Sequence, residues 1–202
     1  MTRLDRLRQT LRQQRRELSL AEQKEHGLQA VVELQASKLV PPRTRVAAFL
    51  AQDGELDTQA LISHLWAQAC QVFLPIIDFE TKRLIFSLYQ PETGLIKNRY
   101  GIEEPQTTRA TDLIAPTQLD FVFMPLVGFD AKGRRLGMGG GFYDKTFEFK
   151  LKKPKLHPTK TSPSLIGWAH ACQQVNALSP QAWDVPLDAI ITEQACLRFV
   201  ER

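Results

Sequence analysis

Cysteine is scarce in this chain, and the three that are present, Cys70, Cys172 and Cys196, form no C-x-x-C pair. An odd number of scattered cysteines argues against a disulfide framework and against a zinc site, and it favours a reducing compartment. The sequence also lacks an apolar segment behind Met1 and any apolar run long enough to cross a bilayer. We therefore expect a cytoplasmic protein with no membrane partner.

Several familiar motifs are absent as well. The chain has no G-x-x-x-x-G-K-[ST] phosphate loop, no complete G-x-G-x-x-G fingerprint and no internal repeat. No RNA- or DNA-binding motif is visible. The histidines form neither an i, i+4 pair nor a Ser-His-Asp arrangement, so no catalytic role is assigned to them. Among them, His170 is the one that we expect to line the cleft.

The composition is that of a globular protein, since 43% of the 202 residues are hydrophobic and 24% are charged. This length is enough for one well-buried core, so we expect a single domain over residues 1–202. The formal net charge of +4 suits an anionic ligand. A nucleotide, a polyglutamate and a nucleic acid all meet that condition, so charge alone does not choose among them.

The N-terminal part alternates helical and strand patterns. Leucines at helical spacing predict an amphipathic basic helix over Arg3–Glu17, and the capping box Ser19-Leu20-Ala21-Glu22 predicts a second helix that ends before Pro41. Residues 46–50 and 72–77 read as strands that flank a helix over residues 61–69, which makes one βαβ unit. From the sequence alone, the arginines of the first helix are explained as a charged face exposed to solvent.

Further strand patterns follow at residues 84–89, 121–124, 165–169 and 187–192. Residues 90–116 are rich in turn signals, so a long functional loop is expected there. The lysines and prolines of residues 148–164 indicate a surface segment. That segment is either simply solvated or a basic rim that attracts a polyglutamate tail.

Residues 121–147, FVFMPLVGFDAKGRRLGMGGGFYDKTF, are the most informative stretch. A buried strand ends at Pro125, and a glycine-rich turn follows beside Arg134 and Arg135. Glycines permit positive φ angles and a close approach of the backbone to a ligand. One interpretation is a flexible loop with a solvated arginine pair. The other is a nucleotide phosphate cradle, with Asp144 as a hard oxygen ligand for Mg²⁺.

The ordered run GRRLGMGGGFYD at residues 133–144, preceded by MPLVGFD at residues 124–130, closely resembles the signature of the 5-formyltetrahydrofolate cyclo-ligases, also called methenyltetrahydrofolate synthetases. The resemblance covers nearly the whole chain and is tightest at residues 45–66, 121–147 and 183–192. It implies an α/β fold with a single three-layer Rossmann-like domain, a mostly parallel sheet and N-terminal helices, which agrees with the observed alternation of patterns. It also implies ATP as co-substrate and Mg²⁺ as cofactor.

The family resemblance assigns roles to particular residues. It makes Arg134 and Arg135 the catalytic cations, and Asp144 and Asp184 the carboxylates that hold the metal. The implied ATP-binding residues are Arg3, Arg8, Arg135, Leu136, Gly137, Met138, Gly139, Gly140, Gly141, Phe142 and Tyr143. The implied substrate-binding residues are Leu50, Glu55, Tyr100, Met138, Gly139, Gly140, Gly141 and Phe142. Leu4 stands where the family has a lysine that contacts ATP, so Arg3 or Arg6 would have to supply that cation.

Some assignments have plain alternatives in the residues themselves. Glu55 follows the carboxyl end of a strand, where open α/β sheets bind ligands, but it is equally explained as an exposed turn carboxylate. Tyr100 either stacks on a pteridine ring or packs its loop against the domain. Asp188, at the start of a strand, is expected to be structural.

The implied reaction closes 5-formyltetrahydrofolate, with or without a polyglutamate tail, to 5,10-methenyltetrahydrofolate while ATP is cleaved to ADP and phosphate. The formamide oxygen attacks the γ-phosphorus, N10 attacks the activated carbon, and phosphate departs. The protein is expected to act as a monomer and without nucleic acid. Two other classes stay open: a nucleic-acid-binding module that uses the N-terminal helix and the lysines, and an ATP-binding paralogue without folate activity.

Overall fold

The computed structural model describes residues 1–107, 109–151 and 163–199. Its α-helices are α1 (Arg3–Glu17), α2 (Leu20–Ser37), α3 (Gln59–Ala67) and α4 (Phe142–Phe147). Reciprocal capping boxes begin the first two, Thr2 with Asp5 and Ser19 with Glu22. The two N-terminal helices predicted from the sequence are therefore confirmed. Within the described ranges, no helix has the length and apolar character needed to cross a membrane.

The strands form one large sheet and two small ones. They are β1 (Arg45–Ala47), β2 (Gln71–Asp78), β3 (Arg83–Leu88), β4 (Leu95–Lys97), β5 (Glu103–Pro105), β6 (Leu113–Ile114), β7 (Phe121–Met124), β8 (Gly128–Asp130), β9 (Arg135–Leu136), β10 (Ser164–Trp168), β11 (Gln174–Val175), β12 (Ala189–Ile191) and β13 (Cys196–Arg198). The large sheet has the order β13-β12-β10-β7-β1-β2-β3-β6, and the small sheets are β11-β8-β9 and β4-β5.

The large sheet is parallel at its centre. All pairs from β12 through β10, β7 and β1 to β2 are parallel, whereas β13, β3 and β6 add to the edges in antiparallel pairs. The connection from β1 through α3 to the parallel β2 confirms the predicted βαβ unit. This mostly parallel sheet with N-terminal helices is the α/β fold that the sequence predicts.

The large sheet has a hydrophobic core on each face, because successive residues of a strand point to opposite faces. In β7, Phe123 belongs to the core beneath α2 and α3, while Val122 belongs to the core that contains Phe147 of α4. A smaller cluster fixes α1, whose buried Leu11 packs with Val127 of the segment after β7. Helices on both faces of one sheet make the three layers.

Residues 90–116 are not a continuous loop, which corrects the expectation from their turn signals. β4 and β5 pair antiparallel within this segment. The carboxylate of Glu104 accepts hydrogen bonds from the Ile77 N–H and from the Asn98 side-chain amide, both at 2.8 Å. These contacts tie the hairpin to β2 of the large sheet.

Gly133 also has a different role from the one expected of a ligand loop. Its φ is 75°, and its N–H donates to the Asp130 carbonyl at 3.1 Å, so it forms the turn between β8 and β9. A Cβ at this position would lie 2.7 Å from the ring of Phe199. Glycine is therefore required here by the turn and by close packing.

Most of the predicted surface segment 148–164 lies outside the described residues, which omit 152–162. In the described part, Lys150 donates to the Pro163 carbonyl at 2.7 Å and to Asp188 at 3.0 Å. Asp188 also accepts from the Leu165 N–H at 2.6 Å. The structural role predicted for Asp188 is confirmed, because it fastens this segment to β10.

Candidate active site

A cavity of about 510 Å³ lies beyond the carboxyl ends of β1 and β7. Phe49 and Leu50 follow β1, and Pro125 follows β7. The remaining walls come from α1, the turn that holds Glu55, β2, β3, the β4–β5 hairpin and residues 134–144 and 178–186. Small-molecule sites commonly have volumes of this size, and open α/β sheets bind ligands at this end of their strands. The cavity is therefore the candidate active site.

The glycine loop, residues 137–141, forms one wall of the cavity. Gly139 has a φ of 100°, and Gly141 precedes α4 with a φ of 69°, so both positions need glycine. The Gly137 carbonyl accepts a hydrogen bond from Nε of Arg8 at 2.9 Å. No acceptor among the described residues pairs with the N–H groups of the loop. The loop thus presents free donors, which is the arrangement that binds an anion.

Arg135 and Asp144 form an ion pair in the wall of the cavity, with Nη2 2.6 Å from Oδ1. Oδ1 also accepts from the Val185 N–H at 3.1 Å, and Nη1 of Arg135 donates to the Val185 carbonyl. Arg134 donates to the Leu178 carbonyl at 2.7 Å and keeps 30% of its side chain exposed, against 5% for Arg135. Both arginines line the cavity, and Arg134 is the more exposed of the two.

Asp184 lines the same cavity from the segment after β11. Its Oδ2 accepts from the Gln181 N–H at 2.8 Å, and its own N–H donates to the Gln181 carbonyl at 3.1 Å. This local turn fixes the carboxylate relative to its backbone. The two carboxylates predicted as metal ligands, Asp144 and Asp184, thus belong to one cavity.

A charged network on α1 and the turn after β1 lies next to the cavity, and Glu55 is the member of this network that lines it. Arg15 is fully buried, with Nη2 2.9 Å from Asp53 and 3.6 Å from Glu55. Partial burial raises the pKa of Asp53, but hydrogen bonds from Arg12, Arg16 and Arg15 outweigh it and bring that pKa to about 2. Burial raises the pKa of Glu55 to about 7, although Arg15 opposes the rise.

Glu55 is therefore a buried carboxyl that gains a proton near neutral pH. Only 9% of the residue is exposed, which rules out the alternative of an exposed turn carboxylate. Its Oε2 accepts from the Gln52 N–H at 3.1 Å. Burial raises the pKa of the neighbouring Tyr143, and the charge of Glu55 raises it further. A carboxyl perturbed in this way inside a cleft is typical of functional sites.

The structure brings most of the predicted site residues to this cavity. Those that line it are Arg8, Leu50, Glu55, Arg134, Arg135, Leu136, Gly137, Met138, Gly139, Gly140, Gly141, Phe142, Tyr143, Asp144 and Asp184. Leu4, at the position of the family lysine, lines it too, whereas Arg3 does not. The contact predicted between Arg3 and ATP stays a prediction.

Tyr100 and His170 are placed elsewhere. Tyr100 is not among the lining residues and packs edge-on against Phe79 and Phe142, with ring centroids 5.3 and 6.4 Å away. This geometry favours the loop-packing alternative for Tyr100. The expectation that His170 lines the cleft is wrong, because its side chain is fully buried outside the cavity.

Several lining residues are missed by reasoning from the sequence. Trp183 lines the cavity although 65% of it is exposed. Its position next to the predicted metal ligand Asp184 in the sequence could have identified it as a site residue. Glu103 and Glu104 also line it. No local pattern identifies them, because the β4–β5 hairpin that carries them is not predicted.

Comparisons with known proteins show the family to which this chain belongs. The model of the 5-formyltetrahydrofolate cyclo-ligase family matches residues 2–193. The 5-formyltetrahydrofolate cyclo-ligase of Escherichia coli (strain K12) is 42% identical over 183 residues, which cover 90% of this chain and 96% of that protein. The enzyme of the same name from Haemophilus influenzae is 38% identical over 189 residues, which cover 91% of this chain and 96% of that protein.

Solved structures establish the same fold. The NMR structure of Aquifex aeolicus 5,10-methenyltetrahydrofolate synthetase matches with a TM-score of 0.80 at 24% identity, covering 100% of this chain and 95% of that one. A Mycoplasma pneumoniae 5,10-methenyltetrahydrofolate synthetase matches with a TM-score of 0.67 at 23% identity, covering 95% and 99%. Because the family model spans nearly the whole sequence, this chain belongs to the 5-formyltetrahydrofolate cyclo-ligase family.

Proposed function

We propose that this protein converts 5-formyltetrahydrofolate and ATP to 5,10-methenyltetrahydrofolate, ADP and phosphate. The observation that supports this most directly is the glycine loop, whose unpaired N–H groups line the same cavity as Arg135, Asp144 and Glu55. The same cavity therefore offers hydrogen-bond donors for a phosphate chain and polar side chains for a second substrate. The curated relatives from E. coli and H. influenzae carry the name of this activity.

The phosphates of ATP would lie along the glycine loop. The loop N–H groups would donate to phosphate oxygens, and the partly exposed Arg134 would supply a cation. Arg8 holds the loop through the Gly137 carbonyl, so it would position these amides in addition to attracting the nucleotide. Because α4 is only 6 residues long, we assign the phosphate contacts to amides and arginines rather than to a helix dipole.

The donor set of Asp144 and Asp184 fits Mg²⁺. In phosphoryl-transfer sites this ion is commonly held by one or two carboxylates together with substrate phosphates and water. Both carboxylates line the cavity, and the hydrogen bonds from Arg135 and Val185 to Asp144 fall on Oδ1, which leaves Oδ2 for a metal. When bound, the ion would neutralise charge on the transferring phosphoryl group.

The folate would occupy the part of the cavity near Glu55 and Leu50. Glu55, with a pKa of about 7, can accept or donate a hydrogen bond at the polar edge of a pteridine. Met138 and Trp183 are 53% and 65% exposed, and they offer apolar surface to a flat ring. Tyr100 would support this surface through its contact with Phe142.

The chemical obstacle is the formamide oxygen, which is a poor leaving group. Attack of this oxygen on the γ-phosphorus breaks the bond to ADP and makes the oxygen part of a phosphate ester. N10 of the same folate then attacks the formyl carbon and loses its proton, and phosphate leaves with the oxygen. These steps require alignment of two substrates and no covalent protein nucleophile. Arg134 and Arg135 would stabilise the charge that spreads over the phosphoryl oxygens.

A direct assay tests the proposal. Purified protein mixed with MgATP and 5-formyltetrahydrofolate should show the rising near-ultraviolet absorbance of the methenyl product, and omission of either substrate should abolish the rise. ATP binding is measured in parallel by calorimetry. No product together with undiminished ATP binding would refute the proposal and identify an ATP-binding paralogue.

We also infer that the protein acts as a monomer in the cytoplasm. The free cysteines Cys70, Cys172 and Cys196 favour a reducing compartment. Light scattering during size exclusion should give the mass of one chain, and a dimer mass would contradict this. The sequence of residues 148–164 is rich in lysine, and a positively charged stretch attracts a polyglutamate tail, so we expect a lower KM for polyglutamylated than for monoglutamyl substrate.

A further inference from the structure

A second group of ligand-type side chains lies outside the catalytic cavity. His26 on α2, His170 after β10 and Glu193 after β12 each contribute one nitrogen or oxygen atom, and these atoms lie within 4.8 Å of one another. The Nδ1 atoms of His26 and His170 are 3.0 Å apart, and Nδ1 of His26 is 3.9 Å from Oε1 of Glu193. In the part of the chain that the structure describes, this is the only such group with three or more members.

The surrounding contacts hold these side chains in place. Oε2 of Glu193 accepts from the Ala171 N–H at 2.9 Å, which leaves Oε1 as the oxygen nearer to His26. The backbone N–H of His170 donates to the side-chain oxygen of Gln173 at 3.0 Å. Metal sites in proteins commonly hold a ligating carboxylate through an outer hydrogen bond of the kind that Oε2 of Glu193 accepts.

Packing alone does not satisfy His170. The residue is 0% exposed, and its Nε2 has no hydrogen-bond partner. Its Nδ1 faces Nδ1 of His26 at 3.0 Å, and either a shared proton or a metal ion can lie between two such nitrogens.

The donor set indicates which metals would bind. Two imidazoles and one carboxylate form a typical zinc set, with ligand distances of about 2.0–2.2 Å, so tetrahedral ligand atoms lie roughly 3.3 Å apart. The two separations that involve His26, 3.0 and 3.9 Å, lie on either side of that value, and the one between His170 and Glu193 is within 4.8 Å. Mg²⁺ and Ca²⁺ prefer sites made of oxygen alone. The arrangement therefore matches Zn²⁺ and related transition metals.

We propose that His26, His170 and Glu193 bind one divalent transition metal of the Zn²⁺ class. Water completes the coordination. The metal joins α2 to the segments that follow β10 and β12, which are far apart in the chain. Because none of the three ligands lines the catalytic cavity, this site stabilises the fold and is separate from the proposed Mg²⁺ site.

A titration with matched variants tests the site. Metal-free protein, prepared with a chelator, is titrated with Zn²⁺ by calorimetry in the presence of excess Mg²⁺, which occupies oxygen-only sites. Co²⁺ is used in parallel because its visible absorption reports the coordination. The variants are His26→Gln and Glu193→Gln, and the control is His64→Gln, a half-buried histidine of α3 outside the cluster. Thermal unfolding without metal shows that each variant is folded.

The parent should bind one Zn²⁺ per chain and gain in Tm. His26→Gln and Glu193→Gln should weaken binding by at least about tenfold and lose the gain in Tm, while His64→Gln should match the parent. A parent without a saturable site would overturn the proposal, however the variants behave. Parent-like binding in both His26→Gln and Glu193→Gln would overturn it too.

Discussion

Nη2 of Arg135 lies 2.6 Å from Oδ1 of Asp144, so two residues expected to bind different ligands bind each other. The pair places the cation beside the glycine loop and holds one oxygen of the carboxylate, while the other oxygen stays available. Charge-assisted contacts of this length orient both partners strongly. We expect the pair to act as one unit during phosphoryl transfer.

Mutation of this pair should show that coupling. Arg135→Ala and Asp144→Ala should each lower kcat on the order of a hundredfold, as other electrostatic deletions do. The double variant should be little worse than either single one, because residues that act as a unit are not additive. The absorbance assay measures all of them, and Lys132→Ala, an exposed cation of the β8–β9 turn, serves as the control. Folded variants with parent turnover would contradict the assignment.

The bond from Arg8 to the Gly137 carbonyl predicts an effect on nucleotide binding. Arg8→Ala removes a charged donor and frees the glycine loop, so the KM for ATP should rise by about tenfold, which corresponds to a hydrogen bond of roughly 1.5 kcal/mol. Lys24→Ala makes the same change in net charge at an exposed position of α2 that does not line the cavity. An equal rise in KM for both variants would mean that only the overall charge matters.

The sequence predicts features that depend on neighbouring residues and misses those that depend on distant ones. The buried strand Phe121–Met124 and the glycine loop are local patterns, and the structure confirms the strand at those residues. Arg15 is instructive, because it continues the apolar spacing of Leu7 and Leu11 and is itself fully buried. Its position was therefore visible in the pattern, but its partner Asp53 is 38 residues away.

The buried Arg15 should contribute strongly to stability. Arg15→Met keeps most of the side-chain volume but removes the buried cation beside Glu55 and one of the three arginines that bind Asp53. Breaking a buried pair in this way costs about 3 kcal/mol or more. Arg6→Met on the exposed face of α1 should change the free energy of unfolding by less than about 0.5 kcal/mol. Denaturant unfolding measures both, and equal stabilities would contradict the role assigned to the network.

Glu55 should make stability depend on pH. Its pKa is raised from 4.5 to about 7 in the folded protein, so folding favours the protonated form. Its stabilising contribution is therefore complete below pH 4.5 and is lost as the pH rises through 7. The shift corresponds to roughly 3 kcal/mol over this range.

Glu55→Gln isolates that contribution, because the amide stays neutral at every pH. The free energy of unfolding of the parent, measured relative to Glu55→Gln, should fall by about 3 kcal/mol between pH 4.5 and 8. Titration of other groups, including His170, occurs in both proteins and cancels in the difference. Glu17→Gln, on the exposed end of α1, should follow the parent throughout. Parallel curves for the parent and Glu55→Gln would show that the charged carboxylate is as stable in the folded cavity as in water.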